Sequence, residues 1–452
     1  MIRNMKNLLP TNSSPNSSIK SSLNPSIKSS LNPSLTPSIN SSFTSFGRAF
    51  ILGCAITLSG SALMTTNLQA QALEGEALSE SLLREARTAL DQSAKWLLAK
   101  QQEDGHWSNA EYPALTALPV WALSRAGKAE IPAVKKATEW IATHAKEDGS
   151  IYVEPSEERK GGGLVNYNTA ISMVGLHLSG NPDYTDLVLK ARTFTAAGQH
   201  LGGDIYEGGM GYDAKTDRAY ADLLNTSVAV EAMRLTEGVE DLRPRGEAKA
   251  DLKWDKVVEF VERIHNDPKV NDNPLVSDDA KEQGGFWYRP DQTRAGEHEG
   301  EDGTMRYRSM PGMTYAGLLT YIYADVERDD PRVTSTVKWI ANNWNLDEAS
   351  RDPEKVGTDA AKEGLFYLYN VQAKGLAAFG NDTLVPESGK SFNWRVKLIE
   401  RLLRSQKTEA ETGNGYWLNE DGRYMEGDPI LVTSYTMIAL ANALGPDLEA
   451  KK

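Results

Sequence analysis

Four carboxylates lie close to turns in which a glycine is followed within three residues by an aromatic side chain. They are Glu207, Asp213, Asp222 and Glu426. A carboxylate in an apolar cavity has a raised pKa and can act as a general acid, so Asp222 and Glu207 are the candidate catalytic residues. For Asp222 a simpler interpretation is helix capping, because it stands just before Asn225 and Thr226.

Aromatic side chains in and near the same turns are the candidate ligand-binding residues. Their flat faces suit apolar isoprenoid chains, carbocations or sugar rings. The alternative for each of them is packing between neighbouring structural units. The main candidates are Trp107, Tyr152, Tyr212, Trp287, Tyr307, Tyr367 and Trp417, and Tyr206, Tyr315 and Tyr369 belong to the same group.

Three cations could meet an acidic group of a ligand, such as a diphosphate or a uronate. They are Arg306, Arg308 and Lys374. The two arginines flank Tyr307, and such a run is equally typical of a surface pair.

The sequence gives little support for a metal site. Its only cysteine, Cys54, lies in an apolar stretch near the N-terminus, and its six histidines include no pair at the spacing of ligands on one helix. We therefore expect neither a metal ion nor a cofactor.

The glycine-aromatic turn occurs six times, each time between two helical stretches. This recurrence predicts six copies of one supersecondary unit that is too small to bury its own apolar face. The turns are Gly105-His106-Trp107, Gly149-Ser150-Ile151-Tyr152, Gly209-Met210-Gly211-Tyr212, Gly285-Phe286-Trp287-Tyr288, Gly364-Leu365-Phe366-Tyr367 and Gly415-Tyr416-Trp417.

The helix before each turn is predicted to be an outer one. In the first unit a stripe of apolar residues at steps of three or four faces a charged side, which is typical of a surface helix. That stripe is Leu83, Ala86, Leu90, Ala94 and Leu97. Each outer helix also carries an aromatic residue or leucine near its end, namely Trp96, Trp140, Phe194, Phe260, Trp339 and Leu398.

The stretch after each turn is predicted to be an inner helix. Runs such as 169–176, 314–324 and 433–444 are apolar nearly all round, and a helix with no polar face belongs inside. No sustained alternation of β-branched residues predicts a sheet. A threonine opens five of the six runs and is interpreted as a helix-start residue. These threonines are Thr116, Thr169, Thr226, Thr314 and Thr433.

Three motifs give the repeat a family resemblance. The segment 101–107, Gln-Gln-Glu-Asp-Gly-His-Trp, matches the Gln-x-x-x-Gly-x-Trp repeat of squalene and hopene cyclases. The segments 208–212, Gly-Gly-Met-Gly-Tyr, and 222–226, Asp-Leu-Leu-Asn-Thr, look like two further motifs of the same superfamily. Over residues 80–446 the chain thus resembles the terpenoid cyclase and protein prenyltransferase repeat proteins. The resemblance implies an all-α fold, an α/α toroid of six helix pairs.

The resemblance does not extend to the known chemistries of that fold. The Asp-x-Asp-Asp acid motif of squalene cyclases is missing, as is the Cys-Gly-Glu-Gln motif of thioester proteins. Protein prenyltransferases need a cysteine to hold zinc, and none remains after residue 54. The run Asp278-Asp279-Ala280-Lys281-Glu282 resembles a metal-diphosphate motif of ionising terpene synthases, but those have another fold. We interpret it as a solvated acidic loop.

The N-terminal region is interpreted as a targeting segment. Residues 1–49 are rich in Ser, Asn and Pro and are predicted to be disordered, and residues 50–72 combine an apolar stretch with Ala70-Gln71-Ala72. This order is typical of a secretory signal, so we expect cleavage after Ala72 and a secreted or periplasmic protein without a transmembrane segment. Lipidation at Cys54 is the alternative.

Residues 73–452 are then the toroid, and their charge limits its partners. They hold 44 basic and 62 acidic residues, a formal charge of −18. Such a charge excludes nucleic acid as an expected partner, since phosphates attract basic surfaces. The fourth unit also carries an insertion at about 265–303, which is either a lid over the ring or a tolerated loop.

Three functions fit these observations, and the sequence leaves open whether the protein is an enzyme. The first is an exported cyclase-like protein that binds, and possibly transforms, an apolar isoprenoid-like ligand in the ring. The second is a carbohydrate enzyme similar to polysaccharide lyases, which would make a glycan the partner. The third is a binding or scaffold toroid without catalysis.

Overall fold

A computed structural model describes residues 77–155, 162–213 and 220–448 of the chain. All of them belong to one compact unit within residues 60–452. The expectations for the segment 1–49, for the signal segment 50–72 and for Cys54 lie outside the described residues.

Twelve α-helices alternate along the described chain between an outer and an inner layer. The outer helices are α1 (Glu80–Lys100), α3 (Pro132–Ala142), α5 (Thr185–Ala197), α7 (Trp254–Glu262), α9 (Pro331–Asn342) and α11 (Trp394–Ser405). The inner helices are α2 (Ala114–Arg125), α4 (Val165–Leu178), α6 (Leu223–Leu235), α8 (Pro311–Tyr323), α10 (Leu365–Phe379) and α12 (Pro429–Leu444).

The inner helices form a closed ring. Each of them packs against the next in chain order, from α2 to α12, and α12 packs in turn against α2. In the outer layer, α11 packs against α1. The fold is therefore the all-α, six-unit α/α toroid that the repeat predicted.

The two layers follow from the distribution of apolar residues. In α1 the buried residues include Leu83, Leu90 and Leu97, which recur on one side of the helix, while Glu80 and Lys100 lie at its ends. In α12 nearly every residue from Ile430 to Leu444 is buried, so this helix has no side suited to water.

The apolar residues expected near the ends of the outer helices all lie on those helices. Trp96, Trp140, Phe194, Phe260 and Trp339 stand in the last two turns of their helices. Leu398 does not, because α11 runs on to Ser405 and places Leu398 in its first half.

The five threonines do not open the inner helices as expected. Each is the third to fifth residue of its helix, and its hydroxyl accepts a hydrogen bond from a backbone N–H of the preceding turn. The donors are Trp107 at 3.1 Å, Ile151 at 2.9 Å, Met210 at 2.9 Å, Phe286 at 3.1 Å and Trp417 at 3.0 Å. The threonine thus fastens the turn of its unit to the inner helix.

Glycine and glutamine fasten the turn to the next outer helix. Gly208 has φ +91°, and a Cβ at this position would overlap the carbonyl oxygen of Lys256 at the start of α7. Gln199 donates to the carbonyls of Gly208 (3.0 Å) and Lys253 (3.1 Å). Gln101 of the cyclase-like motif makes the equivalent pair of bonds two units earlier, to the carbonyls of Gly105 and Ala133, both at 2.8 Å.

Strands are few and short among the described residues. They form four antiparallel two-stranded ladders on the connections between helices. The strands are β1 (His265–Asn266), β2 (Gly285–Phe286), β3 (Glu297–Glu299), β4 (Met305–Tyr307), β5 (Thr383–Leu384), β6 (Phe392–Asn393), β7 (Lys407–Thr408) and β8 (Gly415–Tyr416). The first two ladders give the insertion at 265–303 an ordered structure. In the described residues no helix is long and apolar enough to cross a membrane.

Candidate functional site

A cavity of about 310 Å³ lies where the N-terminal ends of the six inner helices converge. Each inner helix contributes to its wall through its first turns or through the connection that precedes it. The contributions are Tyr112, Ala114 and Leu115 at α2, Leu164, Tyr167 and Asn168 at α4, Tyr212 and Leu224 at α6, Met310, Pro311, Gly312 and Met313 at α8, Gly364, Tyr367 and Leu368 at α10, and Leu431 and Tyr435 at α12.

Three loops complete the rim of the cavity. The insertion provides Tyr288, Arg294 and Ala295, so it does reach the mouth of the ring. The connection 349–363 between α9 and α10 provides a second part of the rim, and Tyr424 and Met425 provide the third. The last two loops carry no motif that could have identified them from the sequence, because their position at the rim follows only from ring closure.

Tyrosines dominate the inner part of the wall. The hydroxyls of Tyr167 and Tyr435 are 3.1 Å apart, and the ring of Tyr367 meets that of Tyr435 edge-on at 6.4 Å. Burial raises the pKa of all three phenols, so they remain neutral hydrogen-bonding groups at neutral pH. The hydroxyl of Tyr367 is buried and has no hydrogen-bond partner among the described residues.

Asp222 lies behind this wall rather than in it. The residue is fully buried, and its carboxylate accepts hydrogen bonds from the backbone N–H of Asn225 (2.8 Å), from the Asn225 amide (2.9 and 3.0 Å) and from the hydroxyl of Tyr288 (3.0 Å). It therefore caps α6. Burial raises the pKa of Asp222, while the hydrogen bonds from Asn225 and Tyr288 act against this rise.

The other carboxylates named from the sequence also lie outside the cavity wall. Glu207 is half-buried and faces Lys256 at 3.6 Å. Glu426 is buried and caps α10 by accepting from the backbone N–H groups of Phe366 (3.3 Å) and Tyr367 (2.7 Å), and burial raises its pKa. Asp213 does not line the cavity either.

Of the seven main aromatic candidates, Tyr212 and Tyr367 line the cavity. The indole rings of Trp107, Trp287 and Trp417 are fully buried in the core between the layers. The N–H of Trp107 donates to the carbonyl of Leu97 at 2.7 Å, and that of Trp417 donates to Leu402 at 2.9 Å. The structure thus gives these tryptophans a packing role.

The remaining aromatic candidates are also held by neighbours away from the cavity wall. Tyr307 packs edge-on against Trp287 at 5.4 Å, and the hydroxyl of Tyr152 bonds to Glu154. The hydroxyls of Tyr206, Tyr315 and Tyr369 bond to Asp291, Gln372 and Leu346, respectively.

The cations of the cavity are not the ones that the sequence analysis named. Arg306 pairs with Asp302 at 2.8 Å and Arg308 with Glu282 at 3.5 Å. The cations that line the cavity are Arg294, Arg351 and Lys355. The signal for Arg294 was its place inside the insertion, but nothing in the sequence distinguished it from the other arginines there.

Lys374 and Glu231 pair across the ring and do not line the cavity. They form an ion pair of 2.8 Å, and each side chain is only 8% exposed. The Lys374 ammonium also lies 4.0 Å from the centre of the Trp121 ring. Because these residues come from α10, α6 and α2, which alternate around the ring, their contacts must cross its axis.

No known protein family and no curated protein matches the chain. Among solved structures, the type II terpene cyclase MstE from Scytonema is similar, with 13% identity and a TM-score of 0.44 over 80% of this chain and 99% of that one. A variant of MstE in complex with its substrate, geranylgeranyl dihydroxybenzoate, gives 12% identity and a TM-score of 0.44 over 81% and 99%.

An inactive variant of the α-1,6-mannanase GH76A of Salegentibacter sp. HEL1_6, in complex with α-1,6-mannotriose, is similar as well. The identity is 14% and the TM-score 0.46, over 80% of this chain and 99% of the mannanase. Similarity at this level says nothing about what the present chain binds.

Proposed function

We propose that this protein binds an apolar, isoprenoid-like small molecule in the central cavity of the toroid. The observation that carries the proposal is the cavity itself, which has a volume of about 310 Å³ and apolar and aromatic walls from all six inner helices. Concave apolar sites of this size class are typical of small-molecule binding.

The chemistry of the wall favours an apolar ligand over a glycan. Amide side chains are typical hydrogen-bonding partners of a glycan, and Asn168 is the only amide among the described residues of the wall. Its oxygen accepts from the backbone N–H of Ala114 at 3.0 Å, and its nitrogen donates to the carbonyl of Gly163 at 2.8 Å. Both polar atoms of the Asn168 side chain therefore bond to backbone groups at the starts of α2 and α4. The leucines, methionines and tyrosines of the wall remain to contact the ligand.

The same geometry favours binding over acid catalysis. A general acid must lie within hydrogen-bond reach of the atom it protonates. Asp222 is fully buried, and its oxygens already accept from Asn225 and Tyr288. The described carboxylate that does line the cavity is Glu363, and it is paired with Lys355 at 3.3 Å and with Arg423 at 3.0 Å.

Export of the protein remains part of the proposal. It is supported by the apolar stretch from Phe50 to Met64 followed by Ala70-Gln71-Ala72. N-terminal sequencing of the exported protein is expected to begin at or near Leu73. A lipid-modified N-terminus at Cys54 would instead indicate a membrane-anchored protein.

The binding proposal is tested by native mass spectrometry of the purified protein, followed by titration with farnesol. We expect a retained or added apolar ligand at one molecule per chain. Tyr212→Ala removes part of the wall and is expected to weaken farnesol binding about tenfold, since each 50 Å² or so of lost apolar contact costs about 1.3 kcal/mol.

The matched control is Tyr416→Ala, which removes a tyrosine that stacks on Trp96 on the outer layer, 5.0 Å between ring centres. Its binding is expected to equal that of the unchanged protein. Retention of an oligosaccharide with no farnesol binding would overturn the proposal. So would turnover of a polyene that Asp222→Asn or Glu207→Gln abolishes in a folded protein, because catalysis would then be the function.

A further inference from the structure

We propose that the ligand is an acidic amphiphile, whose apolar body fills the cavity and whose carboxylate or phosphate binds Arg294 at the rim. This inference rests on the proposed function, because it names the chemical class of the molecule that the cavity takes.

Arg294 differs from the other cations of the rim in lacking an ion-pair partner among the described residues. Arg351 is held by Glu282 through two hydrogen bonds of 3.1 Å, and Lys355 is paired with Glu363 at 3.3 Å. Arg294 lines the cavity and contacts the ring of Tyr288, with 3.8 Å between its guanidinium carbon and the ring centre. Its hydrogen-bond donors are thus available to a ligand.

Tyr288 holds Arg294 in place. The hydroxyl of Tyr288 donates to Asp222 at 3.0 Å, and this bond fixes the orientation of the ring. A guanidinium lying over a fixed aromatic ring keeps its planar edge free for a carboxylate or phosphate. Asp222 accepts from the Tyr288 hydroxyl and makes no ion pair with Arg294, so its charge attracts Arg294 without occupying the guanidinium.

The charges around the mouth favour an anion over a neutral group. The cavity wall includes Arg294, Arg351 and Lys355 against a single described carboxylate, Glu363. Arg351 and Arg308 share one buried carboxylate, Glu282. The six inner helices add the positive ends of their dipoles at the same place. This positive mouth belongs to a chain whose net charge is −13, so it is a local feature rather than a general one.

Tyr367 provides a second polar contact for the same ligand. Tyr367 lines the cavity, and its hydroxyl is buried without a hydrogen-bond partner among the described residues. A buried hydroxyl without a hydrogen bond is costly, and a ligand oxygen would satisfy it. Arg294 at the rim and the Tyr367 hydroxyl in the wall are therefore both available to a ligand, which suits a molecule with a polar end.

The experiment compares three probes with the same apolar chain, farnesol, farnesoic acid and farnesyl phosphate, by calorimetric titration of the full chain. We expect at least one of the two acids to bind about tenfold or more tightly than farnesol at low ionic strength. Arg294→Gln should remove this advantage and leave farnesol binding within about twofold. The preference between the two acids distinguishes a carboxylate ligand from a phosphate ligand.

Arg289→Gln is the matched control. Arg289 belongs to the same insertion and contacts an aromatic ring, that of Tyr220 at 4.8 Å, but it pairs with Asp291 at 2.9 Å and does not line the cavity. We expect this variant to retain the preference for the acid.

The outcomes separate this inference from the proposed function. Equal affinities for farnesol and both acids, unchanged in Arg294→Gln, would overturn the acidic-ligand inference and leave the binding function intact. No binding of any of the three probes would contradict the proposed function itself.

Discussion

At the scale of single residues, two buried carboxylates around the ring, Asp222 and Glu426, are held by neighbouring protein groups. Asp222 is the clearest case, because every donor near its carboxylate belongs to Asn225 or Tyr288. Glu426 likewise accepts from backbone N–H groups at the start of α10, those of Phe366 and Tyr367. These two carboxylates therefore stabilise helix ends, and the tyrosine hydroxyls and cations of the wall remain for the proposed ligand.

His265 should make the stability of the fold sensitive to acid. It is fully buried, stacks on Phe286 with 4.3 Å between the rings, and burial lowers its pKa from 6.5 to about 4. The folded state binds a proton at His265 less tightly than the unfolded state does. The stability that neutral His265 contributes is therefore fully present above pH 6.5 and is lost as the pH falls towards 4. This loss is expected to reach about 3 kcal/mol.

The measurement is urea unfolding at several pH values for the unchanged protein and for His265→Phe. The free energy of unfolding of the variant is expected to fall less steeply between pH 6.5 and 4. Parallel curves over this interval would show that His265 does not bind protons differently in the two states.

The candidate site could be predicted only in part from single residues. Tyr212 and Tyr367 were named and do line the cavity, whereas Trp107, Trp287 and Trp417 lie in the core. The repeated turn indicated which residues occupy equivalent positions in the six units. It could not tell which way an aromatic side chain faces, because that depends on the neighbouring unit, as the bond from Trp107 to Leu97 shows.

At the scale of elements, the unit is an outer helix, a turn and an inner helix fastened by three kinds of contact. Threonine joins the turn to its own inner helix, glycine allows the next outer helix to approach, and glutamine bonds to both sides of that approach. Each of these contacts involves a backbone group. They therefore recur from unit to unit even where the packing of side chains differs.

Gly208→Ala should destabilise the fold more than a mutation at an ordinary turn glycine. The new Cβ would overlap the Lys256 carbonyl, and φ is +91°. We expect a loss of about 3 kcal/mol or more in the free energy of unfolding, from overpacking together with backbone strain.

Gly203→Ala is the control for that experiment. Gly203 also has a positive φ, +73°, but a Cβ there would meet no atom within 4 Å. Its cost should be about 1 to 2 kcal/mol, from backbone strain alone. Equal losses for the two variants would mean that the approach of α7 to the turn is not tight.

Thr226→Val tests the bond between turn and inner helix. The buried backbone N–H of Met210 donates to the Thr226 hydroxyl at 2.9 Å. Valine has no hydroxyl, so the Met210 N–H would be left buried without a partner. We expect a loss of about 1 to 3 kcal/mol in urea unfolding. Thr193→Val removes only a hydroxyl bonded to Leu189 on an exposed face and should cost well under 1 kcal/mol. A similar cost for both would argue against the proposed fastening.

The elements themselves were largely predictable. Periodicity gave the outer and inner helices, and the sixfold recurrence gave the ring. The threonines were misassigned as helix starts, because a threonine near an apolar run fits a cap as well as an internal position. The helices in fact begin two to four residues earlier, where neighbouring units supply the caps, as Asn168 does for α2.

At the scale of the whole molecule, the ring is joined across its axis as well as around its circumference. Lys374 on α10 and Glu231 on α6 form the central ion pair, with Trp121 of α2 beside it. A buried ion pair adds little stability over an apolar pair, but removing one partner leaves a buried charge.

Lys374→Met is therefore expected to lower the free energy of unfolding by about 3 to 5 kcal/mol. Adding Glu231→Gln should recover most of the lost free energy of unfolding, because the double variant has no buried charge at this pair. A double-mutant cycle in urea measures the coupling. If the two losses simply add, the residues do not depend on each other and the pair does not hold the ring together.

Closure of the ring between α2 and α12 also affects how the chain is synthesised. Ribosomes add roughly 5 to 20 residues per second, so α12 follows α2, some 300 residues earlier, after about 15 to 60 s. During that interval the nascent protein is an open arc, and the flank of α2 that will meet α12 is uncovered. A chain that stops short of α12 keeps two apolar edges with no partner of their own. Such edges can join between chains instead of within one, and contacts of that kind grow into open-ended assemblies.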